Sequence, residues 1–385
     1  MGSFVLQIFL TNRELHSELR RAARLKKLSK PIVYLLGAGA TQAEVDYLGA
    51  AQVFVLMRDS KELGREGLST AILKKLGARG IPFSLSEHGV DIEKLISLLM
   101  ASGIESQEKL AERMRRLYFN EIRLRLAKAK IISRPQLAQA LFEMHSNEKF
   151  NRETESLSGI LTTNHDGLLQ IASQKVFGSV NVGFPFVSAD VKLDTARRVP
   201  PILQLHGSFS WQFGLPPRIT TLKRNSRYLS NTMWIPPTVL KESKNYPFNK
   251  ISGLAYELLS RHCEVLRVIG SSLTQNDWNI LCLVFNAQRH RELRHGRPLR
   301  IEFIMSRKGG EAIQGSCSYL KNTFPINHLS EGDFSPYERD DIPVDSELNN
   351  AFAYWLREKI NYHRRRDEFD LPIGPTMTLI AGETV

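Results

Sequence analysis

Short apolar runs that stop abruptly in glycine or a polar residue recur along this chain. "PIVYLL" ends in Gly37, Ala38, Gly39, Ala40 and Thr41; "SGILTT" ends in Asn164, His165 and Asp166; "PPILQL" ends in His206 and Gly207; "EVLRVI" ends in Gly270, Ser271 and Ser272. Runs of this length that are apolar on both faces belong to strands covered on both sides. Their alternation with helix-like stretches such as "ISGLAYELLSRHC" predicts an α/β fold with a parallel sheet between helical layers. In open sheets of that kind ligands bind beyond the carboxyl ends of the strands, where these endings would gather. Taken singly, each ending has an ordinary reading. Asn164 or Asp166 caps the next helix, His206 is a satisfied hydrogen-bonding group, and the Gly-Ala-Gly turn, with Gln42 where a third glycine of GxGxxG belongs, is only a turn.

The interval between the first two of these strands is long and helical in pattern. "DIEKLISLLM" sets Ile92, Leu95, Ile96 and Leu99 on one face, and "EKLAERMRRLYFNEIRLRLAKAK" and "QLAQALFEMH" follow. The 385 residues, 42% of them hydrophobic, suffice for a large α/β unit with an added subdomain. The expected division is 1–60 for the start of the core, 61–155 for a helical insert, 156–308 for the rest of the core with its loops, and 309–385 for a C-terminal helix and tail. In that last part Phe352, Tyr354, Trp355 and Ile360 form an apolar stripe beside Arg364, Arg365 and Arg366, which packs either on its own core or on a neighbouring subunit.

Cys263, Cys282 and Cys317 are widely spaced and form no CxxC pair, which argues against a disulfide framework and a four-thiolate zinc site and predicts a cytoplasmic location. No apolar run reaches membrane-spanning length. "MGSFVLQIFLTNRE" lacks the basic region of a signal peptide, and Leu6 breaks the myristoylation pattern. The net charge of +12 gathers in "RRAARLKK", "RMRRLYFNEIRLRLAKAK", "RHRELRHGRPLR" and "YHRRRDEF". Such clusters suit nucleic acid, an acidic partner or a phosphate-bearing ligand. Without interleaved aromatics or a helix-turn-helix or zinc-finger pattern they read as solvated helix faces, and direct DNA binding is not expected.

Taken together and in order, the strand endings resemble the motif series of the sirtuin family: a Gly-Ala-Gly-Ala-Ser loop, a Thr-Gln-Asn-Ile-Asp strand end, a His-Gly pair and a Gly-Ser/Thr-Ser loop. The resemblance covers residues 31 to 305, and the ordered set is far more specific than any member. It implies a Rossmann-type parallel sheet with helices on both faces, and NAD as the ligand. Carried over residue by residue, it implies that Gly37, Ala38, Gly39 and Thr41 hold the diphosphate. Asn164 would lie beside the nicotinamide ribose with Asp166 near the carboxamide, and His206 would be the catalytic base. Gly270, Ser271 and Ser272 would face the ribose or phosphate on the adenosine side. His165 stands where the family has an apolar residue and is given no role. Asp277, after the Gly-Ser-Ser-Leu loop, resembles an aspartate of sirtuin-like defence proteins; helix capping is its ordinary reading.

The chain departs from protein-deacylating sirtuins in the segment between Gly207 and Trp234, which has no cysteine, so the four-cysteine zinc module is absent and no metal is expected. "WIPPTVLKESKNYPFN" replaces the Phe-Gly-Glu stretch that helps those enzymes hold an acyl-lysine peptide. The acceptor implied is water, and the activity implied is an NAD+ glycohydrolase releasing nicotinamide and ADP-ribose. A protein deacylase or ADP-ribosyltransferase, and a non-catalytic NAD or ADP-ribose-binding module, are the alternatives; retention of both Asn164 and His206 argues against the last. Chains of this design resemble those paired with a HerA-type ATPase in anti-phage defence. That resemblance implies NAD depletion on infection, a homo-oligomer larger than a dimer, and a partner of that class.

Overall fold

The computed structural model describes residues 29–304, apart from 51, 61–63, 78–91, 132–134, 154, 195, 197, 215, 221–230, 239–240, 242–244, 272, 274 and 297–298, together with 350, 352–353, 355–356 and 359–360. Lys30–Leu36 is β1, and its residues Ile32 to Leu36 are all buried. It sits at the centre of a five-stranded sheet of order β3-β2-β1-β7-β8, where β2 is Glu155–Thr162, β3 Ile202–Gln204, β7 Val265–Ile269 and β8 Arg300–Ile304. Every neighbouring pair is parallel. The expected parallel α/β sheet is therefore present. Strands are added on one side of β1 and then on the other, so the order reverses between β1 and β7, the point in such sheets beyond whose carboxyl ends ligands bind.

Helices flank the sheet in two groups. Ala38–Tyr47 (α1), Gln136–Ser146 (α5) and Leu168–Phe177 (α7) pack together, as do Phe248–Arg261 (α8) and Trp278–His295 (α9). Both groups feed one apolar core through residues such as Leu141, Phe142, Ala172, Ile251, Leu259 and Ile280. Between β1 and β2 lie Leu68–Leu76 (α2), Ile92–Ala101 (α3), Glu105–Lys128 (α4) and, after α5, the short Glu148–Glu153 (α6). Helices α2 to α4 share a separate apolar cluster, in which Ile92, Leu95, Ile96 and Leu99 are all buried as their spacing predicts. That cluster also takes in Phe209 and Trp234.

Those two aromatics belong to a second, antiparallel sheet of order β5-β4-β6, made of Gly207–Gln212 (β4), Arg218–Ile219 (β5) and Thr232–Trp234 (β6). Residues 207–212 and 232–234 therefore stand outside the parallel sheet. A parallel partner needs a crossover of a dozen or more residues, and only Leu205 and His206 separate β3 from β4. The chain turns instead at Gly207, whose φ is +74 and where a Cβ would meet the Met233 carbonyl oxygen at 2.4 Å.

Of the C-terminal stripe, Phe352, Trp355 and Ile360 are buried in the main core, so packing on the chain's own core is the observed arrangement. Trp355 covers the Arg267 guanidinium at 4.9 Å. Arg267 is held by Glu155 at 2.9 and 3.0 Å and by Glu302 at 2.7 Å, and Lys359 adds a bond to Glu155 at 3.0 Å. Tyr354, Arg364, Arg365 and Arg366 lie outside the described residues. Among the described residues no helix is long and apolar enough to cross a membrane.

Candidate functional site

The turn after β1 and the loop after β7 are locked backbone to backbone. Gly37 N–H donates to the Ile269 carbonyl at 3.0 Å and Gly39 N–H to the Gly270 carbonyl at 2.8 Å. A Cβ on Gly270, which has φ +62, would lie 2.1 Å from the Ala40 nitrogen, and one on Gly37 would lie 2.6 Å from Ser271 Cβ. The glycines are thus explained first by the close approach of two loops rather than by room for a diphosphate. Gly37 N-caps α1 without a side-chain cap or an acidic residue in the first turn, and Ala38 at that end is exposed. Ser271 is buried, and its hydroxyl accepts from Leu273 N–H at 3.4 Å, turned into its own loop. Leu273 itself has φ +45, a conformation uncommon for a residue with a side chain. Ser272 lies outside the described residues.

Beside this double loop, the end of β2 is tied to the end of β1 through side chains. Asn164 Nδ2 donates to the Gly37 carbonyl at 2.8 Å and to Thr41 Oγ1 at 2.9 Å, and Thr41 Oγ1 donates to Asp166 Oδ2 at 2.7 Å. The other oxygen of Asp166 accepts the N–H of Leu168, the first residue of α7, at 3.1 Å, while the N-cap position itself is Gly167. Gln204 on β3 supports the loop from below, donating to the carbonyls of Asn164 at 3.2 Å and Asp166 at 2.9 Å. Burial pushes the Asp166 carboxyl up, against the opposing pull of the Thr41 and Leu168 donors.

His206 follows β3 in the turn before Gly207, and it is buried. Its ring lies against the Thr163 carbonyl and Asn279, and its Nε2 meets no hydrogen-bond partner among the described residues. Burial, reinforced by the Lys241 ammonium, holds its pKa down to about 3. His206 is therefore a neutral imidazole throughout the physiological range, the state in which a lone pair can accept a proton.

His165, to which the sequence assigns no part, packs alongside, its ring centroid 6.2 Å from that of His206. It is stacked on Phe209 at 5.2 Å and meets the edges of Trp234 at 5.2 Å and Tyr118 at 6.2 Å. Burial first, then His206 and Lys241, hold it neutral too, at about 3. Tyr118 comes from α4 and stacks on Trp234 at 5.9 Å, so the helical insert forms a wall of the site.

A buried ion cluster closes the same side. Lys241, its side chain only 5% exposed, bonds Asp277 at 2.8 Å and the Asn276 carbonyl at 2.9 Å, and lies 3.6 Å from Glu93 on α3. Asn276 Nδ2 in turn donates to Glu93 at 2.6 Å. Asp277 precedes α9 but its carboxylate does not cap the helix; it pairs with Lys241 instead. Lys241, His165 and Asn279 are the residues sequence reasoning missed. The only signal for His165 was its seat between Asn164 and Asp166, and Lys241 left none.

The structure thus gathers Gly37, Gly39, Thr41, Asn164, Asp166, Gly270 and Ser271 at the switch point, with His206 against the residue preceding Asn164. Surface clefts of about 380 and 230 Å³, one lined by Arg289, His290 and Leu293 and the other by Gln212 and Phe213, contain none of them. No group of three or more His, Cys, Asp or Glu suited to a metal occurs among the described residues. No family model and no curated protein sequence matches the chain. Among solved structures it is similar to one described as "The Structural basis for Sirtuin Substrate affinity", with 14% identity and a TM-score of 0.32, over 79% of this chain and 98% of that one.

Proposed function

We propose that this chain is an NAD+ glycohydrolase of sirtuin type, releasing nicotinamide and ADP-ribose. One observation carries the reading: the motif residues converge at the point where strand order reverses, with Asn164, Thr41 and Asp166 in a single hydrogen-bonded chain and a buried, neutral His206 beside them. A pure binding module has no need of a buried, neutral imidazole at that point. NAD suits the residues present: the N-terminal end of α1, which no side chain caps, favours a diphosphate, and Asn164, held at Gly37 and Thr41, presents its remaining oxygen to a hydroxyl or water.

Cleavage needs little acid assistance, because the leaving group departs from a cation as neutral nicotinamide while positive charge develops on the ribose carbon. Asn164 orients the ribose or the incoming water, and His206 accepts a proton from a hydroxyl there. Thr41 and Gln204 hold Asn164 and Asp166 in place, so little reorganisation remains at the moment of reaction. The same reading includes a defence role in the cytoplasm, a homo-oligomer larger than a dimer and a HerA-type ATPase partner, all supported by the motif series. Contacts for these would have to come from the basic α4 or the C-terminal tail, since Phe352, Trp355 and Ile360 are committed to the chain's own core.

Incubation of the purified protein with NAD, with and without an acetyl-lysine peptide, tests the choice of acceptor. The expected products are nicotinamide and ADP-ribose at the same rate in both; nicotinamide release only with peptide present would return the deacylase alternative.

A further inference from the structure

The basic run "RHRELRHGRPLR" takes no part in the candidate site, and the structure divides it. Arg294 and His295 lie in the last turn of α9, where the negative end of the helix accounts for them. Arg289 and His290 lie earlier, and their spacing from Asn286 and Leu293 places all four on one helix face. With Tyr256 from α8 that face lines the cleft of about 380 Å³, within the range of about 300–1,000 Å³ usual for small-molecule sites. Glu292, the one acidic residue of α9, is not in the lining.

On α4, Arg115 and Arg116 are held by Glu112 and Arg125 by Glu121, as on an ordinary solvated helix face. Arg289 has no ion pair among the described residues. His290 is held in place by Tyr256, whose hydroxyl lies 3.2 Å from Nδ1 and whose ring it meets edge-on at 6.0 Å, which leaves Nε2 for another partner. An anion in the cleft favours the form in which Tyr256 donates to Nδ1 and Nε2 carries the proton. The cleft then offers a guanidinium fork, an imidazole N–H and the Asn286 amide as donors, with no carboxylate among them, and Leu293, 76% exposed, adds apolar surface beside them. Donors from three side chains outnumber the two oxygens of a carboxylate and match those of a phosphate group. We propose that this cleft binds a phosphate ester, its phosphate on Arg289, His290 and Asn286 and its organic part against Leu293. The ester belongs to a free nucleotide or to a nucleic acid strand. The proposal stands apart from the NAD reading, because the cleft contains none of the strand-end residues.

Calorimetric titration of the full chain with inorganic phosphate, AMP and a short oligothymidylate tests it, in wild type, in Arg289→Gln, and in Arg113→Gln, which removes the same charge from an exposed position on α4. The expected result is binding weakened roughly tenfold or more in Arg289→Gln and less than about twofold in Arg113→Gln. Tighter binding of AMP than of the oligonucleotide assigns the free nucleotide, and the reverse order assigns the strand. Histidine ¹⁵N spectra locate the contact: phosphate should shift Nε2 of His290 in wild type and leave it unmoved in Arg289→Gln. No binding of any probe, an equal loss in both variants, or a His290 signal that phosphate does not move in wild type would overturn the proposal. So would tighter binding of a glutamate-rich peptide than of every phosphate probe, which would make the cleft a seat for an acidic protein.

Discussion

Thr41 holds the candidate site together, and its replacement by valine has a calculable cost. Its hydroxyl accepts from Asn164 Nδ2 at 2.9 Å and donates to Asp166 Oδ2 at 2.7 Å. Valine fills the same space without the hydroxyl. The bond to the buried carboxylate is worth about 1.5–3 kcal/mol and the one from Asn164, which keeps the Gly37 carbonyl, about 0.5–1.5, giving roughly 2–4 kcal/mol in all. The loss carries a pH signature. Asp166 already has its folded pKa raised by burial, and removing a donor raises it further above its unfolded value. A carboxyl raised in this way favours the folded state when protonated, an advantage lost as pH rises through the folded pKa. The deficit of Thr41→Val should therefore be smaller at pH 5 than at pH 8, and Thr41→Ser, which retains the hydroxyl, should show little of it. Urea denaturation of the three proteins at both pH values measures this. A Thr41→Val protein within 0.5 kcal/mol of wild type at pH 8, or equally destabilised at both pH values, would refute the reasoning; so would a Thr41→Ser deficit as large as that of valine.

Gly270→Ala forces a side chain to φ +62 and to 2.1 Å from the Ala40 nitrogen, so a loss above about 2 kcal/mol is expected, and an unchanged denaturation midpoint would contradict the loop packing. Lys241→Met removes the ammonium that pairs with Asp277 and lies beside Glu93. It should cost about 3 kcal/mol in denaturation, reduced in Lys241→Met/Asp277→Asn, and additive losses in the pair would show that the two do not interact. His145, His165 and His206, held near 4, 3 and 3, each take up a proton on unfolding below about pH 6.5, so their contribution is intact above that pH and is lost as pH falls. Glu44, raised to about 7, and the raised Asp166 act in the opposite sense. The three histidines outnumber the two raised carboxyls, so unfolding takes up protons on balance and stability should fall as pH drops from 7 to 5. Melting that moves to higher temperature between pH 7 and pH 5 would contradict it.

The parallel strands were legible because β1 and β7 are buried on both faces and so read as continuous apolar runs. The insert was legible because one face of α3 carries its whole apolar set. The antiparallel sheet was not, since β5 and β6 are two and three residues long and exist only through pairing with β4. The same division holds at the site. Asn164, Asp166, His206 and the glycines are punctuation at strand ends, visible in one dimension. The surroundings of His165 are not, because Tyr118, Phe209 and Trp234 come from three different elements. Nor is Lys241, whose partners Glu93 and Asp277 lie 148 residues before it and 36 after it. Ser271 adds a contact that its motif position does not suggest: its oxygen accepts Leu273 N–H within its own loop, which leaves the O–H to donate elsewhere.

The central claim is that His206 is the base of an NAD-cleaving site, and nicotinamide release by the His206→Ala protein tests it most directly. A positioned base contributes a factor of about 100 to 10,000, so the barrier should rise by roughly 3 to 5 kcal/mol. The measurement is release from NAD without an acceptor, by wild-type and His206→Ala proteins that circular dichroism shows to be equally folded, in the same oligomeric or partner-bound state. The account predicts turnover by wild type and a loss of at least 100-fold in the variant; turnover of NAD by His206→Ala at the wild-type rate would contradict it.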